Sequence, residues 1–170
     1  IEPFVGGGAM LFHMLQKYTN IGRVIINDIN PNLITAYRVI RDTPERLITD
    51  LKMLQREFRQ NSNEEARKEY FLRIRKSYNE DTHNDVTNTA MFIFLNRTCF
   101  NGLYRVNSKG YFNVPFGKYT NPTICDEELL LEDSKILQNV EILCGDYTLI
   151  ERYVDNNTFI YFDPPYRPLS

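Results

Sequence analysis

Little in this sequence points to a membrane, a secreted scaffold or a metal centre. No uninterrupted apolar run is long enough to span a bilayer. The start, Ile1-Glu2-Pro3-Phe4, has no basic segment leading into an apolar core, so it does not read as a secretory signal. Cysteine is scarce and odd in number. Cys99, Cys125 and Cys144 lack metal-ligand spacing and read as small, partly buried residues of a reducing compartment. The expectation is a cytoplasmic protein with no metal site. Acid is missing from one long window. Between Val86 and Cys125 there is no Asp or Glu, while Arg97, Arg105, Lys109 and Lys118 give +4, so the rest of the chain carries −6 of the net −2. A basic stretch inside an acidic chain suits one face meant for an anion, with nucleic acid the foremost candidate. Two phosphate-binding signatures are absent as well. No GK[ST] occurs, which excludes a P-loop, and Leu11 stands where a dinucleotide G-x-G-x-x-G needs glycine, which makes a dehydrogenase a poor reading.

What is present reads as a succession of α and β elements. Val5-Gly6-Gly7-Gly8 is a glycine turn, and Ala9 to Leu15 follows as a helix buried on one side. Arg23 to Asp28 is a buried strand with a polar end. Asn30-Pro31 supplies an N-cap followed by proline at the first helical position, and Thr43-Pro44 repeats the signal. Glu64 to Tyr78 is charged with one aromatic side, as in a surface helix, and Asn88 to Asn96 is an apolar helix. Tyr104 to Phe116 is rich in aromatics, Asn, Gly and Val, with a hairpin turn at Asn107-Ser108-Lys109-Gly110. Asp126 caps a short helix to Leu137. Val140 to Cys144 and Thr158 to Phe162 are two further strands. Parallel strands joined by helices at both ends imply a doubly wound α/β sheet.

Three motifs carry chemistry. The glycine turn opens a helix, where glycines let the backbone approach a ligand closely. Asp28 ends the next strand about twenty residues on, the position from which an acid accepts hydrogen bonds from a ribose; Asn27 and Asn30 also fit an ordinary turn and cap. Together the two motifs indicate a nucleoside-containing cofactor. The third motif, Asp163-Pro164-Pro165-Tyr166, is the most specific. Two prolines after a strand stop the ladder and fix the backbone, leaving the Pro164 carbonyl free. The Asp163 carboxylate and that carbonyl can both accept from one amino group, and Tyr166 offers a flat ring for stacking. His13 and His83 have no carboxylate or Cys partner at ligand spacing.

These motifs occur in one order with Leu95-Asn96-Arg97, Phe100 to Asn107 and Gly110 to Tyr119. In that order the chain resembles, nearly end to end, the Dam-like family of DNA adenine methyltransferases. The resemblance implies a Rossmann-like sheet that uses S-adenosylmethionine, with residues 1–50 and 120–170 as the catalytic domain and 51–119 as an inserted target-recognition region. Glu2, Pro3, Phe4, Gly6 and Gly8 would hold the cofactor. Asp28 with Ile29 would meet its ribose, Asp146 its adenine, and Asp163 both its methionine end and the target base. Asp163, Pro164, Pro165 and Tyr166 would form the catalytic site. Double-stranded DNA is the implied partner and GATC the implied target. Arg105 would read guanine, Leu103 and Pro115 would touch neighbouring bases, and Phe100 and Asn101 would enter the stack. Arg97, Asn107, Asn113 and Lys118 would hold phosphates. The family pattern also includes a Trp-Ala-Gly-Gly-Lys-like segment before the glycine turn and strands after Tyr166. This chain has neither, and no Trp at all, so the reading expects a piece of a longer protein. The alternatives are a methyltransferase for RNA or a protein amide, and a non-catalytic DNA-binding piece.

Overall fold

A computed structural model describes residues 1–165. Tyr166, expected in the catalytic motif, lies outside the described residues. Among the described residues the fold is α/β, with helices and a small two-stranded parallel sheet. The chain divides into two compact units, residues 1–42 with 132–170, and residues 43–131.

The first unit contains α1 (Ala9–Lys17), β1 (Val24–Asp28), α2 (Pro31–Asp42) and β2 (Val140–Cys144). β1 pairs with β2 in parallel, from Val24 opposite Val140 to Asp28 opposite Cys144. Ile25, Ile26 and Asn27 are consecutive and all buried, the pattern of a strand covered on both faces. α2 starts as its residues dictate. Pro31 is its first residue, and the Asn30 Oδ1 accepts from Asn32 N at 3.1 Å and Leu33 N at 3.4 Å. Val5, Leu11, Ile26, Ile34, Leu137 and Val140 close one hydrophobic core. Each such side chain contributes about 1.5–3 kcal/mol when fully buried.

The sheet continues beyond its two regular strands. Glu2 N donates to Ile25 O at 2.9 Å, Asn27 N to Glu2 O at 2.9 Å and Val5 N to Asn27 O at 3.0 Å. The glycine turn is thus tied to the polar end of β1. On the other side Tyr161 N donates to Ile1 O at 2.9 Å, and Ile1 N to Phe159 O at 2.7 Å. Here the sequence expectation needs correction. Thr158 to Phe162 reads as an apolar strand, yet it forms no regular strand, and Phe159 and Phe162 are 63% and 53% exposed. Among the described residues its ladder is limited to the two backbone bonds with Ile1, and the Phe162 ring packs beside Phe4 rather than within a sheet.

The second unit packs α3 (Pro44–Gln60), α4 (Glu64–Glu80) and α5 (Asp85–Thr98) around an aromatic core. The charged surface helix and the apolar helix of the sequence both form, the first ending two residues later than read and the second extending beyond the reading at both ends. Asn63 and Asn84 cap them, accepting from Ala66 N and Thr87 N. Phe58 is fully buried with its ring centroid 5.8 Å from Phe94 and 6.3 Å from Phe116, both edge-on. α6 (Glu127–Leu137) begins with Asp126 Oδ1 accepting from Leu129 N, as the sequence predicts.

The expected hairpin forms in this unit. Val106 bridges Phe112 in antiparallel fashion, and Asn107 N donates to Tyr111 O at 2.9 Å. Asn79 of α4 clamps its base by bonding both polar groups of Phe112, at 2.9 and 3.0 Å, and Arg75 donates to Val114 O at 3.1 Å. Phe112 and Val114 are buried, whereas every residue from Asn101 to Tyr111 is exposed. A fixed base therefore carries a solvent-facing tip.

Candidate functional site

In the first unit the glycine turn opens a cleft of about 500 Å³ whose lining includes Glu2, Phe4, Gly6, Gly8, His13 and Asp163. That volume suits a small-molecule cofactor. A second cavity, about 610 Å³, lies against Met10, Met14, Tyr18 and Phe159 but meets neither the glycines nor Asp163. It shares Glu2 with the first cleft and also meets Arg23, Asp155 and Asn157.

The turn is built for the cleft. Gly6 N donates to Asp28 Oδ2 at 3.1 Å, and Asn30 N donates to Asp28 Oδ1 at 2.9 Å. Asp28 therefore locks the turn to the end of β1, with one lone pair left on each oxygen. A side chain on Gly6 or Gly7 would enter open space, so the backbone here is accessible to a ligand. Gly8 differs. Its φ is 74°, and an added Cβ would lie 2.5 Å from Tyr37 Oη and 3.0 Å from the Phe12 ring. Tyr37 is held because its hydroxyl donates to Gly6 O at 3.0 Å. Gly8→Ala is expected to destabilise the protein by about 1–2 kcal/mol through the left-handed backbone. A lower denaturation midpoint at unchanged slope would record it.

Glu2 is the unusual charge. It is buried, and its Oε2 has no hydrogen-bond partner among the described residues. Burial pushes its carboxyl up to about 7, and the nearby Asp163 carboxylate adds to the rise, while the Leu11 backbone N–H opposes it. An orphaned acid oxygen in a ligand-sized cleft fits a cationic group of a ligand. Phe4 stands among aromatics, with its ring centroid 5.6 Å from Tyr147 and 6.1 Å from Phe162. Asp163, Pro164 and Pro165 are exposed.

The hairpin of the second unit carries the other expected residues. Phe100 and Leu103 are about half exposed, at 51% and 50%. Asn101 sits at φ 53° inside a short 3-10 turn, Phe100–Gly102, whose Gly102 carbonyl accepts from Asn96 Nδ2 at 2.7 Å. Pro115 O accepts from Phe100 N at 2.8 Å, so these two expected base-contacting residues share one backbone link. Arg97 is exposed and makes no ion pair among the described residues. Lys118 pairs with Glu64 at 3.2 Å.

A family model described as D12 class N6 adenine-specific DNA methyltransferase matches residues 1–170. The chain belongs to this family. Among its relatives, the Type II methyltransferase M.MjaIII of Methanocaldococcus jannaschii is 52% identical over all of this chain and 59% of its own length. The Type II methyltransferase M1.LlaDCHI of Lactococcus lactis subsp. cremoris is 43% identical over 99% of this chain and 57% of its own length. A DNA adenine methylase of Vibrio cholerae is 37% identical over all of this chain and 57% of its own length. The chain thus spans less than three fifths of these relatives.

For this D12 chain, the cleft unites five expected residues, Glu2, Phe4, Gly6, Gly8 and Asp163. Pro3, Asp28, Ile29 and Asp146 do not line it. Pro3 is buried and Ile29 is 72% exposed. Asp146 caps the 3-10 turn Tyr147–Tyr153, and bonds from the Thr148 backbone and hydroxyl hold its carboxyl below the usual range. Asn107 spends its Oδ1 on Lys109 N and Tyr111 N within the hairpin turn, which leaves its Nδ2 as the donor for other partners. Sequence reasoning missed Asn27. Fully buried, its Nδ2 donates to Pro3 O at 3.1 Å and Gly145 O at 3.0 Å, joining the two loops beside β1. Its place at the polar end of a strand was the available signal.

Proposed function

We propose that this chain carries the core of an enzyme that moves a methyl group from S-adenosylmethionine to the 6-amino group of adenine in double-stranded DNA, at GATC, with the adenine flipped out. One observation carries the reading. Asp163-Pro164-Pro165 adjoins a glycine-lined cleft that also holds a buried, unpartnered carboxylate oxygen, in a chain of the D12 family. The sheet then belongs to a doubly wound, Rossmann-like domain formed by residues 1–50 and 120–170, with 51–119 as the target-recognition region.

S-adenosylmethionine, when bound, supplies a methyl group already activated by positively charged sulfur. Glu2 takes the cofactor's cationic end, and Phe4, Gly6 and Gly8 shape its bed. Asp28, with Ile29 beside it, offers its remaining lone pairs to the ribose hydroxyls, and Asp146 serves the adenine side. At the target base, Asp163 and the Pro164 carbonyl accept the two amino N–H bonds. That draws the lone pair out of the ring and onto nitrogen. Pro165 fixes the backbone, and Tyr166 stacks on the base. In-line placement of this kind removes about 7–11 kcal/mol of barrier in favourable cases. The amino proton leaves after transfer, when the nitrogen is acidic, so no strong base is required. Extruding the adenine costs a few kcal/mol, and stacking on Tyr166 returns roughly 1–3 kcal/mol.

Arg105 reads guanine with a bidentate contact, Leu103 and Pro115 touch neighbouring bases, and Phe100 and Asn101 fill the stack. Arg97, Asn107 and Lys118 hold phosphates. The expected result is labelled methyl transfer from S-adenosylmethionine into a GATC duplex, and none into the same duplex already methylated at adenine or into RNA. Transfer to RNA instead of DNA would overturn the substrate, and a silent calorimetric titration with S-adenosylmethionine alongside retained DNA binding would overturn the enzyme.

A further inference from the structure

Arg105 and Asn113 face each other across the hairpin, in register. Asn113 N donates to Arg105 O at 3.1 Å, one step beyond the Val106–Phe112 bridge. Their side chains are joined too. Arg105 Nε donates to Asn113 Oδ1 at 2.7 Å, and Arg105 Nη2 donates to the Asn113 carbonyl at 3.3 Å. An arginine has five N–H donors in a rigid planar fork. Nε–H and the Nη2–H beside it form its side edge, and both oxygens of Asn113 occupy that edge. What remains is the end edge, made of Nη1 and Nη2. That is the pair able to meet two acceptors of one base, such as O6 and N7 of guanine.

The hold on Arg105 is itself anchored. Asn113 is half-buried, and its neighbours Phe112 and Val114 are buried and bonded to Asn79 and Arg75 of α4. An exposed arginine on a hairpin tip would otherwise sample many rotamers, and ordering it on binding would cost affinity. With its Nε edge already taken, the guanidinium plane is oriented before the duplex arrives.

We infer that Asn113 is a positioning residue for sequence discrimination, fixing the Arg105 guanidinium so that its end edge reads guanine, rather than a phosphate contact. The inference rests on the reading of Arg105 as the guanine-contacting residue.

The test compares kcat/KM on a GATC duplex with kcat/KM on a duplex whose guanine pair is replaced, using the protein, S-adenosylmethionine and four forms: wild type, Arg105→Ala, Asn113→Ala and Asn113→Asp. Arg105→Ala is expected to lower the discrimination ratio by about tenfold to a hundredfold. Asn113→Ala should lower the same ratio by about 3–10-fold, the worth of one net hydrogen bond. Asn113→Asp keeps the acceptor for Nε and should retain wild-type discrimination. A phosphate contact behaves differently. Both Asn113 variants would then weaken binding uniformly across sequences, the aspartate more because its charge repels the phosphate. That pattern overturns the positioning role. Loss of discrimination in Arg105→Ala with none in Asn113→Ala overturns it alone, whereas full discrimination in Arg105→Ala overturns the guanine reading and the inference with it.

Discussion

Asp163→Ala is expected to abolish methyl transfer while leaving the fold and cofactor-free stability nearly unchanged. The side chain is exposed, so its loss opens no core cavity. What disappears is the charged acceptor that draws the amino lone pair onto nitrogen. Removing one preorganised polar group aimed at developing charge costs about 10²–10³-fold in rate, and here the Pro164 carbonyl would be left as the sole acceptor. Asp163→Asn retains an acceptor oxygen but loses its charge, and should fall between the two. Single-turnover transfer into a GATC duplex reads the effect on chemistry directly, and duplex binding by the same variant should stay within a few-fold. Full activity in Asp163→Ala would sink the mechanism. The electrostatics provide a second readout. Asp163 helps raise the Glu2 carboxyl, so its removal should move the Glu2 titration downward.

The local geometry around the cleft was more legible than its long-range framework. The glycine turn and Asp28 stand a fixed distance apart along the chain because the turn must meet the end of the following strand. The Gly6–Asp28 bond at 3.1 Å is that meeting. Helix starts were equally readable at Asn30 and Asp126, since a cap is decided within one turn of chain. Long-range pairing was not. Thr158 to Phe162 has the apolar composition of a buried strand, but burial depends on what covers it, which composition does not encode. Asn27 reads as the polar end of a strand, and its bonds to Pro3 and Gly145 exist only once two distant loops converge. The Arg105–Asn113 contact depends on hairpin register, set when Asn107 closes the turn. Spacing along the chain marks neither residue as the other's partner. Gly8 lines the cleft, and the closeness of Tyr37 and Phe12, which would crowd any side chain added there, is set by packing that the spacing along the chain does not encode.

Glu2→Gln should weaken cofactor binding strongly and remove its pH dependence. In the cofactor-free protein, burial pushes the Glu2 carboxyl up to about 7, with Asp163 adding to the rise and no group bonding its Oε2 among the described residues. Below that pH a cationic ligand must displace a proton from Glu2, and above it the carboxylate is ready. Affinity for S-adenosylmethionine should therefore rise with pH toward about 7 and then level off, with proton release at the acidic end that calorimetry in buffers of different ionisation enthalpy detects. At pH 8 the glutamine variant should lose about 2–3 kcal/mol, the scale of a hydrogen bond to a charged group, or roughly 30–150-fold. Stability without cofactor moves the other way. A carboxyl raised in the folded state contributes stability that is full below its unfolded value and lost as pH rises through its folded value. Wild type should thus lose stability between about pH 4.5 and 7 from this group, and Glu2→Gln should not. A variant that binds the cofactor as tightly as wild type at pH 8 would remove Glu2 from the binding site, and a flat stability difference across that interval would remove its buried charge.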